Sequence, residues 1–173
     1  MDATRLVFVD ETAARCSMNR VYGWAPTGET PVIKRCAYGT RLSIVGAIAL
    51  DGPRAHMTYT GTMNGDRMVE FVNEHLGPSL RPGDIVVLDG LSVHRMTKVC
   101  EAIEAFGASS LILPPYSPEL NPVEHAWSTF KARLRAVATQ CWTELCALVE
   151  RIWTELTPFC SGWVRHCGYA EST

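Results

Sequence analysis

The sequence lacks any apolar run long enough to cross a bilayer. The longest run, at 42–50, is interrupted by Ser43 and Gly46 and has about half of the roughly 20 residues that a membrane-spanning helix needs. The first residues also lack the basic start, apolar stretch and small-residue cleavage site of a secretory signal. We therefore expect a cytoplasmic protein with no membrane partner.

The seven cysteines lack the spacing of a structural framework. Their number is odd and no Cys-x-x-Cys pair occurs, which argues against a set of disulfides and against a standard zinc site. The nearest candidate for metal binding is Cys160 with His166 and Cys167. A buried cysteine that packs as a small apolar residue is the commoner case, and we favour it here.

An excess of positive charge is also missing, because the net charge is −2. Such a chain does not hold DNA by phosphate neutralisation alone, so any basic surface must be local. The two groups of basic residues that could converge on one face are Lys34, Arg35 and Arg41, and Lys131, Arg133 and Arg135.

Length and composition indicate one folded unit. The chain has 173 residues, of which 47% are apolar and 20% charged, and this is enough to bury a core without disulfides or a structural metal. We treat residues 1–173 as a single domain.

The first half of the chain predicts three strands. Residues 6–9 form a short apolar strand that ends at Asp10 and Glu11, and residues 12–40 are rich in turn formers, which indicates a loop or a loose hairpin. Residues 41–50 and 55–61 then flank a strong turn signal at 51–53, so they predict an antiparallel hairpin.

Helices and strands alternate in the middle of the chain. Apolar residues at helical spacing predict a helix over 64–76, and four consecutive apolar residues before Asp89 predict a strand that is covered on both faces. A second helix is expected after residue 95, followed by a strand at 110–113. The buried stripe of that second helix is predicted to be Met96, Val99, Cys100 and Ile103.

The last third of the chain is predicted to be helical. A helix begins near Asn121, and a final helix covers 142–157. The expected apolar face of the first is Val123, Trp127, Phe130, Leu134 and Val137, and the expected packing residues of the second are Trp142, Leu145, Val149, Trp153 and Leu156. Strands that are grouped early and then alternate with helices indicate an α/β fold with a mixed sheet.

Two of the predicted buried strands end in an aspartate, Asp10 and Asp89. If the strands are neighbours they lie about 5 Å apart, and their terminal carboxylates repel each other unless a cation lies between them. Mg²⁺ is the natural cation, because hard cations prefer carboxylate oxygen. The alternative is that both aspartates merely mark strand ends, as Asp84 does.

Glu124 has two interpretations. It could close a capping box with Asn121, since Pro122 fits the first helical position and Glu124 the third. It could also bind metal at the head of a stripe that continues through Lys131 and Arg135, whose basic side chains would then contact DNA phosphates. Ordinary solvated cations on a helix are the alternative for that stripe.

Three segments carry a family resemblance: VDE at 9–11, LDGLSVH at 88–94 and LPPYSPELNPVEHAW at 113–127. Together they resemble the mariner superfamily of transposases, in particular its bacterial insertion-sequence branch. The 34 residues between Asp89 and Glu124 match the spacing of that group. The resemblance spans roughly residues 4–137, and the proline-rich segment before Glu124 is its most specific part.

The resemblance implies a ribonuclease-H-like fold, a mixed five-stranded sheet flanked by helices. It places the catalytic and metal-binding acids at Asp10, Asp89 and Glu124, with Mg²⁺ or Mn²⁺ as cofactor and two ions in the site. One ion would activate a water or a DNA 3′-hydroxyl and the other would stabilise the leaving oxygen. The substrates would be the ends of the transposon, inserted at a TA dinucleotide of target DNA, and the active complex would be a homodimer.

Further residues take supporting roles under this resemblance. The expected contacts to DNA are Lys131, Arg135, Lys34, Arg35 and Trp24. Residues expected to support the metal site without binding metal are Glu11, Asn121, His94 and His125. Trp24 lies in a loop that would touch DNA or the partner subunit, and the alternative that it packs over its own sheet is slightly favoured.

Two departures from the family pattern keep other functions open. Gly90 stands where the family usually has asparagine, and no helix-turn-helix module precedes the first strand. A separately encoded DNA-binding half would supply the missing recognition, in a bacterial cytoplasm and close to the nucleoid. The alternatives are a non-catalytic relic that assembles with other subunits or occupies DNA, and a cellular ribonuclease or junction nuclease.

Overall fold

A computed structural model describes residues 2–18, 23–32, 41–90, 96–137, 139 and 141–170 of the chain. Within these ranges the elements form a single sheet with helices on both of its faces. None of the helices in the described ranges combines the length and the apolar character that a bilayer span requires.

The sheet has five strands in the order β3-β2-β1-β4-β5. The first three form an antiparallel meander, and β4 and β5 run parallel to β1. This confirms the mixed five-stranded sheet. The strands are β1 (Leu6–Ala14), β2 (Leu42–Ala49), β3 (Gly52–Thr60), β4 (Ile85–Leu88) and β5 (Ser109–Ile112).

Five α-helices accompany the strands: α1 (Gly65–Glu70), α2 (Thr97–Glu104), α3 (Pro122–Val137), α4 (Trp142–Thr154) and α5 (Thr157–His166). Helix α1 continues as one π-helical segment, Phe71–Leu76, which ends in a 3₁₀ turn. Asn64 caps α1, because its side-chain oxygen accepts the backbone N–H of Arg67 at 3.0 Å.

The two faces of the sheet bury two separate cores, as the two-residue period of a strand requires. Phe8 and Ile44 face α3, α4 and α5, whereas Val9 and Val45 face α1, its π-helical continuation and α2. Strand β2 is buried along its whole length, so the central strands are covered on both sides.

Strand β1 is longer than the sequence predicts. The expectation that it ends at Asp10 and that a loop begins at residue 12 is wrong, because β1 continues to Ala14. Its extension is paired with β2, with Glu11 opposite Val45 and Ala14 opposite Leu42. The hydrogen bonds of a full antiparallel ladder outweigh the polar character of residues 10–12.

The unequal lengths of β1 and β4 create an open edge. The parallel pairing of these strands stops at Val9 and Leu88, so Asp89 leaves the sheet directly beside Asp10. Beyond that point β1 continues without β4 at its side. The chain leaves β1 toward β2 on one side, while β4 lies on the other, and such a switch point is where open α/β sheets form their sites.

The final helical region also differs from expectation. The predicted single helix over 142–157 is two helices, since α4 ends at Thr154 and α5 begins at Thr157 with Pro158 in its first turn. A proline there costs no hydrogen bond, because the first N–H groups of a helix have no partner within it. Sequence reasoning missed α5 entirely.

Three apolar side chains that were expected to be buried are exposed instead: Val137 (51%), Met96 (40%) and Trp142 (38%). Val137 and Trp142 lie at the end of α3 and the start of α4, and Met96 precedes the first residue of α2. A prediction from apolar periodicity does not show where a helix ends, so it also assigns residues at or beyond the helix ends to the buried face.

Cys160 is a packing residue, as favoured from the sequence. Its side chain is buried in the core, its thiol donates to the carbonyl of Leu156, and burial raises its pKa to about 12. A thiol that resists ionisation in this way is a poor zinc ligand, because zinc binds the thiolate.

Gly46 gives the first testable prediction, because it lies opposite Asp10 in β2. A Cβ there would lie 2.8 Å from Cη2 of Trp127 and closer still to Trp153. We expect Gly46→Ala to lower the free energy of unfolding by about 1–3 kcal/mol, the usual effect of overpacking a core.

The matched control for Gly46→Ala is Gly162→Ala. Gly162 lies inside α5, and no atom would come within 4 Å of its added Cβ. This change should raise the free energy of unfolding by about 0.5–1 kcal/mol, since alanine is the better helix former. Equal stability of the two variants in urea denaturation would contradict the packing described around Gly46.

Candidate metal centre

Asp10 is the most buried acid of the candidate site, with 7% of its surface exposed. Both of its carboxylate oxygens accept a hydrogen bond. The indole N–H of Trp127 donates to Oδ2 at 3.1 Å, and the backbone N–H of Glu11 donates to Oδ1 at 2.7 Å. These two donors fix the orientation of the carboxylate and leave one lone pair on each oxygen for a further partner.

The pKa of Asp10 is raised to about 7, chiefly by burial and also by the nearby charges of Glu124, Glu11 and Asp89, while the hydrogen bond from the Glu11 N–H opposes the rise. The ionised form of Asp10 is therefore costly in the protein alone. A divalent cation beside the carboxylate would reverse that effect, because an adjacent positive charge favours the ionised form.

Asp89 and Glu11 lie next to Asp10 at the open edge of β1. One carboxylate oxygen from each of the three residues lies within 4.8 Å of the others. Asp89 reaches this point because it follows β4 directly, and Glu11 reaches it because no strand covers β1 beyond Val9 on that side. Glu11 was expected to support the metal site without binding metal, or to be a turn residue; it lies in β1, and its carboxylate belongs to the cluster.

These three acids fit a hard divalent cation. Oxygens that bind one Mg²⁺ at about 2.1 Å lie at most about 4.2 Å apart, so small side-chain rotations would bring the cluster to binding distance. All three donors are carboxylates, the ligand type that Mg²⁺ and Mn²⁺ prefer. Within the described ranges, no other group of three histidine, cysteine or acidic residues comes this close together.

Glu124 projects from the first turn of α3 and lines the same groove as the cluster. Its charge acts on the pKa of Asp10, although its oxygens lie outside the 4.8 Å group. The predicted capping box does not form, because the backbone N–H of Asn121 donates to the carbonyl of Pro118 at 3.0 Å. Glu124 therefore lines the groove without taking part in capping α3.

Asn121 caps α3 without help from Glu124. Its side-chain oxygen accepts the backbone N–H of Val123 at 3.3 Å, and the residue is 4% exposed. Asn121 therefore holds the first turn of α3, which carries Glu124.

The groove around the acids has two parts that meet at Asp89 and Glu124. One part contains Asp10 and Glu11 together with two cations, Arg41 and Lys131. The other part is walled by the loop at 113–118 and by Asn121. Lys131 therefore lies where a phosphate contact was expected.

Among the described residues, three other predicted ones are absent from the groove lining: Arg135, His125 and Trp24. Arg135 is half-buried on α3 and is absent from the lining of either part of the groove. His125 packs edge-on against His166, with ring centroids 4.9 Å apart. Trp24 is fully exposed, so the favoured alternative that it packs over its own sheet is wrong. Lys34, Arg35 and His94 lie outside the described residues.

Sequence reasoning missed the polar function of Trp127. It was assigned to the apolar face of α3, and its ring is indeed buried, but its N–H donates to Asp10. The available signal is chemical, since a buried indole N–H nearly always has an acceptor. Arg41 was named only as part of a basic group, and its place beside the acids depends on how β2 begins.

Comparison with known proteins adds a family and a fold. A family model described as DDE superfamily endonuclease matches residues 5–146. A solved structure of the Mos1 strand transfer complex has a TM-score of 0.76 at 18% identity, covering 95% of this chain and 52% of that one. The Mos1 mariner paired end complex with Mn gives 0.74 at 16% identity, with coverage of 95% and 52%.

The catalytic domain of Mos1 mariner transposase gives a TM-score of 0.64 at 14% identity, with 95% of this chain and 76% of that one covered. At these identities the likeness shows the fold, and the expected ribonuclease-H-like architecture is confirmed. The chain spans about half the length of the transposase chains in the two Mos1 complexes above. No match is found among curated proteins.

The hydrogen bond between Trp127 and Asp10 gives the second prediction. Trp127→Phe removes the indole donor and keeps an aromatic ring. At pH 8, where Asp10 is ionised, this loss should lower the free energy of unfolding by about 1.5–3 kcal/mol beyond the cost of the smaller ring.

Trp153→Phe is the control for ring size, because Trp153 packs against Trp127 with ring centroids 5.3 Å apart and makes no contact of this kind with Asp10. The difference in free energy of unfolding between Trp127→Phe and Trp153→Phe should be smaller at pH 5, where Asp10 is protonated and the hydrogen bond from Trp127 is weaker. Equal urea midpoints at pH 8 would show that the Trp127 donor contributes nothing to stability.

Proposed function

Because the chain belongs to the DDE superfamily endonucleases, we propose that it is the catalytic domain of a DNA transposase, which cuts DNA at transposon ends and joins those ends to target DNA. The observation that carries the proposal is the meeting of Asp10, Asp89 and Glu11 at the open edge of the sheet, with Glu124 on the same groove. Phosphoryl transfer needs such a concentration of carboxylates to hold divalent cations.

Asp10, Asp89 and Glu124 hold the cations in this proposal, and Glu11 contributes a fourth carboxylate. Four carboxylates would be enough to hold two Mg²⁺ or Mn²⁺ ions. Solved complexes of similar fold are described with Mn and with Mg, which supports the choice of ion. Bound divalent cations would supply Lewis acidity, lowering the pKa of the attacking hydroxyl and offsetting charge on the transferred phosphate.

The protein's own residues orient and contain the reaction. The N–H groups of Trp127 and Glu11 hold the Asp10 carboxylate in one orientation, so its remaining lone pairs face the groove. Lys131 and Arg41 lie close enough to the acids to contact the phosphates that flank the scissile one. A carboxylate groove without such cations would repel DNA.

The substrate in this proposal is the transposon's own pair of ends, together with target DNA. The similar structures are described as paired-end and strand-transfer complexes, which supports a complex with two ends and two copies of the chain. Recognition of the end sequence belongs to a DNA-binding part outside the catalytic domain. The expected setting is the bacterial insertion-sequence branch of the family, in the cytoplasm at the nucleoid.

A non-catalytic relic is the alternative function. The close approach of the three carboxylates disfavours it, because burial of Asp10 beside other carboxylates raises its pKa to about 7, which makes the ionised form of Asp10 costly unless a cation is bound. In a relic with no need for metal, mutation of these acids to neutral residues would remove the destabilisation without loss of function.

Cleavage of end DNA tests the proposal directly. Purified chain is incubated with fluorescently labelled transposon-end duplex in the presence of Mg²⁺, Mn²⁺ or EDTA, and products are separated by denaturing electrophoresis. We expect nicking and joined products with either cation and none with EDTA. Intact DNA binding with no cleavage under any divalent cation would count against catalysis.

Variants of the acids give the third prediction. Asp89→Asn and Glu124→Gln should each lower the cleavage rate by at least about 100-fold, because each removes a charged ligand that acts on the transition state. Glu11→Gln should lower it less, by roughly 10- to 100-fold, because Glu11 adds a fourth carboxylate to the three principal acids.

Glu119→Gln is the matched control, since Glu119 is an exposed acid in the turn just before α3. It should cleave at the wild-type rate. Glu124→Gln should retain the wild-type melting temperature because Asn121 caps α3 alone. Near-normal cleavage by Glu124→Gln would return Glu124 to a structural role.

A further inference from the structure

The loop at 113–118 is held firmly at both ends. At its start the backbone N–H of Leu113 donates to the carbonyl of Leu88 at 2.8 Å, and the Leu113 side chain is buried. Just past its end the hydroxyl of Tyr169 donates to the carbonyl of Leu120 at 2.8 Å. Three prolines between these anchors restrict the backbone further. The loop therefore presents its side chains in a fixed arrangement.

Tyr116 occupies the middle of this loop in an unusual state. Its φ is 60°, and it is the only non-glycine residue with a positive φ in the described ranges. Its side chain is 100% exposed. Glycine adopts this backbone conformation without strain, whereas a bulky residue is strained in it. Within the described chain, no ring contact or hydrogen bond of the tyrosine side chain offsets that strain.

The position of Tyr116 links it to the acids. It lines the part of the groove that also contains Asp89 and Glu124. The cations Arg41 and Lys131 line the other part, where Asp10 and Glu11 lie. The groove is thus cationic on one side of the acids and aromatic, with prolines, on the other.

We propose that Tyr116 is a positioning residue whose ring stacks on an unpaired base next to the scissile phosphate. The inference rests on the proposed function and extends it by assigning the aromatic side of the groove to a nucleobase. Phosphates would bind the cationic side of the groove, because the loop at 113–118 offers them no positive charge. The flat, exposed ring of Tyr116 instead matches the face of a base.

The place of Tyr116 in the groove also suits a nucleobase, because its ring lines the same part as Asp89 and Glu124. Each base is attached to the backbone within one nucleotide of a phosphate, so a residue beside the metal-binding acids is within reach of the base that flanks the cut. In an intact duplex both faces of a base are covered by its neighbours. The contact therefore forms with a base that has left the stack, as at a nick or a frayed end.

Abasic substitution in the DNA tests the contact. A fluorescein-labelled, pre-nicked transposon-end duplex is made with a single abasic site at each position flanking the nick, and binding is followed by fluorescence anisotropy. For wild type, one abasic position should weaken binding by roughly 5- to 100-fold, the range expected for loss of one base–aromatic stack. Tyr116→Ala should weaken binding of the pre-nicked duplex that carries no abasic site by the same factor. It should also abolish the dependence of binding on the abasic position.

Three further variants separate stacking from folding. Tyr116→Phe keeps the ring and should behave as wild type, including its dependence on the abasic position. Tyr116→Gly relieves the backbone strain, so its melting temperature should equal or exceed that of wild type while its DNA binding matches Tyr116→Ala. Trp142→Ala removes an exposed aromatic residue that is absent from the groove lining, and should leave binding unchanged.

Failure of this inference is distinguishable from failure of the proposed function. If wild type cleaves transposon-end DNA but Tyr116→Ala binds and responds to abasic sites as wild type does, the stacking role is overturned and the nuclease stands. If binding by wild type depends on one abasic position, and that dependence is lost in Tyr116→Ala, but wild type never cleaves, the stacking role is supported and the catalytic function is overturned. If wild type, joined to the DNA-binding part that recognises the ends, still binds no DNA, both are overturned.

Discussion

Burial of one carboxylate among several others is the constraint on which the rest of this structure depends. The pKa of Asp10 is raised to about 7, chiefly by its burial and also by the charges of Glu124, Glu11 and Asp89. The fold creates the conflict by ending β4 at Leu88 while β1 continues, and a divalent cation is the partner that resolves it.

The packing of the core supports this arrangement at some cost in stability. Gly46 faces Asp10 across the sheet, and its missing side chain leaves room for the rings of Trp127 and Trp153. That room lets the indole of Trp127 lie over Asp10 and donate to it. One helix, α3, therefore carries both the donor that orients the buried acid and the acid on the groove, Glu124. Sites that stay poised for a ligand are commonly less stable than they could be.

Much of the fold could be predicted from the sequence, because buried strands and helices leave strong periodic patterns. The apolar run before Asp89 placed that residue correctly at the end of β4. The length of β1 could not be predicted, since Asp10 and Glu11 look like a strand end and only pairing with β2 shows otherwise. For the same reason the closeness of Glu11 to Asp89 was missed. Helix α5 was missed because Pro158 and Gly162 resemble helix breakers when the surrounding packing is unknown.

The most direct test of the account is to locate the cation itself. Crystals of the protein grown with Mn²⁺ would be measured at the manganese absorption edge, and the anomalous difference map would be inspected at the open edge of β1. The account predicts a peak between Asp10 and Asp89, within coordination distance of both carboxylates. A map from Mn²⁺-saturated crystals with no peak there, or with its main peak at another place on the surface, would contradict it.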